Sequence, residues 1–500
     1  MVTQQQYDRL LKKYNNLQKR TKNKNILLKR ATSKSRYYKK NYTNEKNKNK
    51  ELDFKNKELI NDNTLLKEEK NKESGLKKIS REQVIFLCVF LVAHCRVSYR
   101  SVPKILAALC TCLNLIMVIP DRTSIMNWVK QVSLYKLENI KKIADPFLII
   151  IDVTIKKGCS KLLTVLRVPL NIYEQRLGGI SISEVEVVAI FASKTWNKYI
   201  VCEKLYDVFK KIGTPFQLIL DGGGDLNAGV NLLKQKYPEF KGIHIVRDIT
   251  HLFANLLKKK YKDNEIFKLF TKGLKTTGAL LRQTRLSTLC PPKLRSIGRF
   301  QSIIRSVEWA LNAINFYKIH KRDIPSKYQK LLSKSFSWLI EIYDFLTTFR
   351  QECILLNSIQ KLTKINGMNQ NIYKKCMDEI NNSKISIELK EKIIMILKKY
   401  LRSASLLGQK INVSSDVIES LFGVYKLIFE RSKSTDIAST ALYLPILSGE
   451  ITQQLVKNAI NNCSINHVKN WEKEHLPETE HSKRNKLPKI FKTESKLKAA

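Results

Sequence analysis

Acidic residues are scarce in this chain: 44 Asp and Glu stand against 90 Lys and Arg, a formal charge of +46 over 500 residues. Such an excess repels itself unless a polyanion meets it, which disfavours acidic small molecules as the main partner and favours nucleic acid. Lys, Asn and Ile are abundant throughout, as an AT-rich coding sequence produces, so the charge alone does not locate the contact. Close cysteine pairs are missing too. None of the ten cysteines forms a CxxC pair and only Cys110 and Cys112 are near neighbours, which argues against a structural zinc framework. Their apolar surroundings point to reduced, buried thiols in a cytosolic compartment. No apolar run is long enough to span a bilayer. Val84 to Cys95 is too short, and Val102 to Ile119 is broken by Lys104 and Asn114, so no membrane segment is expected. The opening MVTQQQYDRL lacks the apolar core of a signal peptide. The expected location is cytoplasm or nucleoid, or the nucleus in a eukaryotic cell.

Proline is absent from residues 1–79, which hold one glycine, Gly75, and 23 Lys and Arg against 9 Asp and Glu. An extended basic helix is sterically allowed throughout. Leu52, Leu59 and Leu66 lie seven apart, as do Leu10 and Leu17, so a short coiled coil near 52–70 is expected after a basic arm. A solvated charge run explains residues 1–45 equally well. Residues 80–133 read as three helices. Ser80-x-x-Gln83 forms a capping box, Ser98 can cap the second helix, and Asp121 or Thr123 the third, with Ile125, Trp128 and Val129 inward. That leaves Arg122, Ser124, Asn127 and Lys130 outward, residue types that a recognition helix sets against phosphates and base edges; an ordinary solvated face would carry them too.

From 146 the pattern turns to strands: PFLIIIDVTI, KLLTVLRV, SEVEVVAIFAS, then FQLIL and GIHIV, with helices over Tyr199 to Lys211, Leu226 to Gln235 and Asp248 to Tyr261. Three strands followed by alternating helix and strand predict a mixed sheet with helices packed on it, over 146–261. Residues 262–410 are almost purely helical, 411–470 return to the core, and 471–500 form a basic tail.

Three carboxylates stand out. Asp152 follows Phe147, Leu148, Ile149, Ile150 and Ile151, so it lies within a strand that should be fully buried, where an ionised group must be paired or hold a metal. A nearby Lys, Arg or backbone amide would satisfy it as well. Asp221 ends FQLIL and precedes Gly222, Gly223 and Gly224, which lets backbone approach a ligand closely at a strand's C-terminal end. Asp225 competes with it, as helix cap or as ligand. Glu419 falls in the first turn of a helix begun by Ser414 or Ser415, beside the apolar stripe of Ile418, Leu421, Phe422 and Tyr425. The helix macrodipole would favour an acid there without any further role, as it does for Asp416.

IIIDVT, LILDGGGD and SSDVIESLFGVYK, in this order, resemble the DDE-type transposase and retroviral-integrase superfamily. Asp248-x-x-His251 in VRDITHLFANLLKK resembles the C/D(2)H signature of Mutator-like and hAT-like transposases, which also carry a helical insertion before the final Glu. The resemblance covers about residues 80–465 and rests on order and context rather than one long motif. It implies an α/β RNase H-like core, a mixed five-stranded sheet with flanking helices, interrupted by an all-α insertion and preceded by a helix-turn-helix-like unit. It also implies that Asp152, Asp221 and Glu419 bind two Mg²⁺ ions, with Mn²⁺ as a substitute, for cleavage and strand transfer of double-stranded DNA by a homo-oligomer. Asp248, His251 and Asp225 then stand beside the ligands, supporting them or touching DNA near the site. The basic N-terminal arm is outside the shared core. Three rivals remain at this level: a DNA-binding protein with a decayed site, a nuclease or junction resolvase on the same fold, and a coiled-coil nucleic-acid scaffold.

Overall fold

The computed structural model describes residues 77–155, 161–170, 179–294, 303–320, 325–430, 440–478 and 482–486, with 13, 16–18 and 32 as isolated helical positions. The leucine spacing at 52–66, most of the basic arm and the end of the tail lie outside the described residues. The chain divides into two units. One takes in 1–79 and 109–116; its described part pairs Lys77–Lys78 in parallel with Leu115–Ile116. The other holds the rest and carries the candidate site.

Ser80 and Gln83 complete the expected capping box at the start of α1 (Arg81–Ala93), each side chain taking the other's backbone N–H. Ser98 accepts the Ser101 N–H just before α2 (Val102–Leu113). Asp121 caps α3 (Arg122–Glu138), accepting from the Thr123 and Ser124 amides. These caps satisfy helix-end donors that would otherwise lack partners.

The five expected strands form one mixed sheet. They are β1 (Phe147–Ile155), β2 (Lys161–Pro169), β3 (Glu186–Ser193), β4 (Gln217–Leu220) and β5 (His244–Arg247), in spatial order β3-β2-β1-β4-β5. The first three pair antiparallel, while β1, β4 and β5 run parallel. Central β1 is covered on both faces, which is why Phe147 to Ile151 is an unbroken buried apolar run rather than an alternating one. Between strands run α4 (Lys198–Ile212) and α5 (Gly224–Lys236), and α6 (Ile249–Tyr261) follows β5. Helices α4 and α5 meet closely because Gly229 has no side chain: a Cβ there would fall 2.5 Å from Val201 Cβ.

The helical block comprises α7 (Glu265–Leu281), α8 (Ile303–His320), α9 (Ser326–Glu341), α10 (Tyr343–Asn366), α11 (Gln370–Asn382) and α12 (Ile387–Leu407). It is tied to the end of α6 by the fully buried Glu352 of α10, which accepts from Lys260 Nζ and from the Tyr261 hydroxyl (2.6 Å). After it come α13 (Asp416–Glu430), the short α14 (Tyr443–Ile446), α15 (Gln453–Asn462) and α16 (Ile465–His475). Three of these cover α3. Gln131 donates to Cys463 O, Ser133 to Leu442 O, Lys136 to Ser448 O, and Lys130 pairs with Glu472 at 2.6 Å. Residues 130–136 are thus packed against residues more than three hundred positions downstream.

No helix among the described residues is long and apolar enough to cross a membrane. Nine described cysteines are free thiols, but Cys95 and Cys112 are exposed against the expectation of burial. Cys95 follows the end of α1, and α2 buries only Val102 and Leu106.

Candidate active site

Sheet register brings the two strand-borne carboxylates together. Ile151 of β1 pairs with Leu220 of β4 in parallel register, so the next residues, Asp152 and Asp221, stand side by side on strands about 4.8 Å apart. Burial, then the charge of Asp221, pushes the Asp152 carboxyl up to about 6 against the opposing pull of the Val153 amide and His251. The Val153 amide donates to Asp152 Oδ1 at 2.6 Å, and Gly223 N–H donates to Asp221 Oδ1 at 2.8 Å. Gly222 turns the chain with φ +94°, and the Arg247 side chain lies 3.7 Å from where its Cβ would be. A side chain at 222 would therefore be strained by the backbone, although it would meet Arg247 only at ordinary contact distance.

The third parallel strand contributes at the same level. Leu220 pairs with Arg247, and the Asp248 N–H continues the ladder onto Leu220 O at 3.0 Å. Asp248 is fully buried. Its Oδ1 accepts the His251 amide (2.9 Å) and faces His251 Nδ1 (3.0 Å), while Oδ2 accepts the Ser415 amide (2.8 Å). Burial alone would raise its pKa, but these bonds from His251 and Ser415 outweigh it and hold the carboxyl below the usual range. The same pairing lifts His251 to about 9 against desolvation, so its ring is cationic at neutral pH.

Glu419 enters through α13, which packs on β1 and buries Ile418, Leu421, Phe422 and Tyr425 as their spacing predicts. Ser414 Oγ accepts the Asp416 N–H and starts the helix. Three links dock the preceding segment on the core. Asp248 holds Ser415, Ile249 N–H donates to Val413 O (2.9 Å), and the buried Gln217 takes both backbone groups of Asn412, donating to its carbonyl and accepting its N–H. Glu419 Oε1 lies 3.9 Å from His251 Nε2 with nearly half its side chain exposed, and partial desolvation raises its carboxyl.

Asp416, the competing acid on that helix, is paired with Lys364 at 2.7 Å. Asp225 is exposed in the first turn of α5 and caps nothing, since Gly223 holds the cap position without a side-chain bond. At the start of α3, Arg122 is exposed, Ser124 donates its hydroxyl to Asp121, and Asn127 is half-buried, while Lys130 is held by Glu472. Motif reasoning missed Arg247 and Gln217, and named Ser415 only as a possible helix start. A Gln opening an otherwise apolar strand was the available signal for Gln217.

The donor set suits a hard divalent cation. Carboxylates stand at the same level on neighbouring strands, and the charge of one makes the other hold its proton more tightly, a repulsion that a cation would relieve. Among the described residues no three His, Cys, Asp or Glu side chains converge closely enough to grip one ion. The pair is assembled, and Glu419 faces His251 instead.

What the fold and site define together is an α/β protein with a mixed five-stranded sheet whose three parallel strands carry Asp152 within β1 and Asp221 and Asp248 just past β4 and β5. A fold comparison returns the Drosophila P element transposase strand transfer complex, at a TM-score of 0.38 and 12% identity over 79% of this chain and 95% of that one. No family model matches the sequence, and no curated protein does.

Proposed function

We propose that this chain is a DDE-type transposase, with an RNase H-like core that cleaves and transfers DNA strands at Asp152, Asp221 and Glu419. The observation that carries the proposal is the shared level of Asp152 and Asp221 on adjacent parallel strands, with the Glu419 helix packed on the same strand β1. The strand order, three antiparallel strands followed by two parallel ones on the far side of β1, supports the RNase H-like assignment.

Asp152 and Asp221 would hold Mg²⁺, or Mn²⁺ in its place, with Glu419 as third carboxylate. A pair of such ions supplies an activated water or 3′-hydroxyl and stabilises the leaving oxygen. The chain's own residues fix the geometry. Strands β1 and β4 hold two carboxylates rigidly. Asp248 orients His251 through Nδ1 and leaves the cationic Nε2 edge toward Glu419. Arg122, Ser124 and Asn127 remain the candidates for end recognition, and the pairing of Lys130 with Glu472 weakens its case. Self-association through 52–66 belongs to the same proposal. Light scattering should then give a smaller particle for a chain lacking 1–75, and an unchanged mass would remove that part.

The test is cleavage of a supercoiled plasmid carrying the DNA that flanks the gene, in Mg²⁺ and in Mn²⁺. Asp152→Asn, Asp221→Asn and Glu419→Gln should each lower cleavage by about 10³-fold or more with duplex binding retained. Full activity in the Asp152 or Asp221 variant would sink the assignment. A parent chain that binds duplex and never cuts would support the non-enzymatic alternative.

A further inference from the structure

The helical block touches the sheet at the end of β5 through a half-helix whose exposed charges are basic. Helix α12 changes character midway. Its N-terminal half carries Glu388, paired with Lys392, and Glu391, whereas the exposed charges of its C-terminal half are all positive: Lys398, Lys399 and Arg402. Between them the buried Tyr400 donates its hydroxyl to Arg247 O at 2.7 Å, which fixes this half of the helix at the end of β5, one residue before Asp248. Arg247 is itself exposed and lies over Gly222, next to Asp221. None of these four cations has an ion pair among the described residues, although the acids of the chain engage many other lysines.

Cations at a helix C-terminus can be explained by the macrodipole alone. That accounts for a charge in the last turn. It does not account for Arg247, which ends a strand, nor for the absence of acidic partners along the whole half-helix.

We infer that Arg247 with Lys398, Lys399 and Arg402 forms a track for the phosphate backbone of double-stranded DNA, leading to Asp152 and Asp221. The inference rests on the proposed function and adds to it the surface that brings the strand to the carboxylates. Phosphates suit it because four cations without ion pairs among the described residues can each displace condensed counterions, and Arg247 lies over Gly222, beside Asp221. Such contacts position DNA without reading its sequence.

The experiment measures binding of a 30-base-pair duplex of arbitrary sequence to the full chain in EDTA, as a function of salt. Neutralising all four cations to Gln should flatten the log–log salt slope by about 3 to 4 units, close to one per lost phosphate contact. A control that neutralises Lys327, Lys330 and Lys334, exposed on α9, should leave the slope within about one unit of the parent. A charge-keeping set, Arg247→Lys with Lys398→Arg, Lys399→Arg and Arg402→Lys, should retain the parent slope and guards against loss of fold. An unchanged slope in the neutral variant, or an equal loss in the α9 control, overturns the track. So does weaker binding to phosphatidylserine vesicles with the duplex slope intact, which would assign the face to a membrane surface. Since EDTA removes catalysis from the readout, a chain that never cleaves but shows the expected slope change keeps the track and loses the transposase reading.

Discussion

The two halves of the candidate site are held by different kinds of structure. Asp152 and Asp221 stand on neighbouring strands whose register is fixed by a continuous ladder and by burial on both faces of β1. Glu419 stands on a helix that reaches the sheet only after the whole helical block, through a docked segment held by Asp248, Ile249 and Gln217. A strand pair of this kind survives most changes outside it, because slipping the register would move every buried side chain to the wrong face. The helix-borne half depends on a few buried hydrogen bonds, so it is the part that single substitutions can detach.

The largest expected effect separates these halves directly. Asp248→Ala would leave the Ser415 amide and the His251 ring without their buried acceptor and should cost about 3 kcal/mol in urea unfolding. Hydrogen exchange should then quicken in α13 while β1 and β4 stay protected. Equal loosening of sheet and helix would break the distinction.

The next concerns the strand pair and has the opposite sign. The carboxyl of Asp152 is raised in the folded chain from its ordinary 3.8 to about 6. The folded state therefore holds that proton more tightly than the unfolded state, and ionisation costs stability as pH rises from about 4 to 6. In EDTA, Asp152→Asn should be more stable than the parent by at most roughly 3 kcal/mol at pH 7 to 8, the gain vanishing below about pH 4. A destabilised variant at pH 8 would show that the repulsion is not there.

Gln217→Leu should cost less, about 1–2 kcal/mol, by stranding the two backbone groups of Asn412. Its thermal melt should fall while the far-ultraviolet dichroism stays that of the parent. Smallest of all is Glu419→Gln, expected within about 0.5 kcal/mol of the parent because the side chain is half-exposed and its nearest charged neighbour is 3.9 Å away. A large stability loss there would mean that Glu419 holds the helix rather than serving the site.

Much of this was legible in the residues. The five strands fall where apolar, β-branched runs occur, since a buried strand has to be filled that way. Asp152 and Asp221 announce themselves as charges interrupting or ending such runs. The apolar stripe of α13 gives its buried face by period alone. What could not be read were pairings between distant segments. Nothing local to Asp248 indicates that its carboxylate would hold Ser415, and nothing in α3 shows that Lys130 would be taken by Glu472 or that Gln131 would face Cys463. Arg247 escaped notice because one basic residue among 90 carries no signal until its strand places it beside Asp221.

The most direct test is Mn²⁺ binding to the full chain, followed by electron paramagnetic resonance. The parent should bind Mn²⁺. Asp152→Asn and Asp221→Asn should each weaken that binding by at least about tenfold, and Glu419→Gln should weaken it less. Parent-like affinity in the two strand variants would contradict a cation held between Asp152 and Asp221.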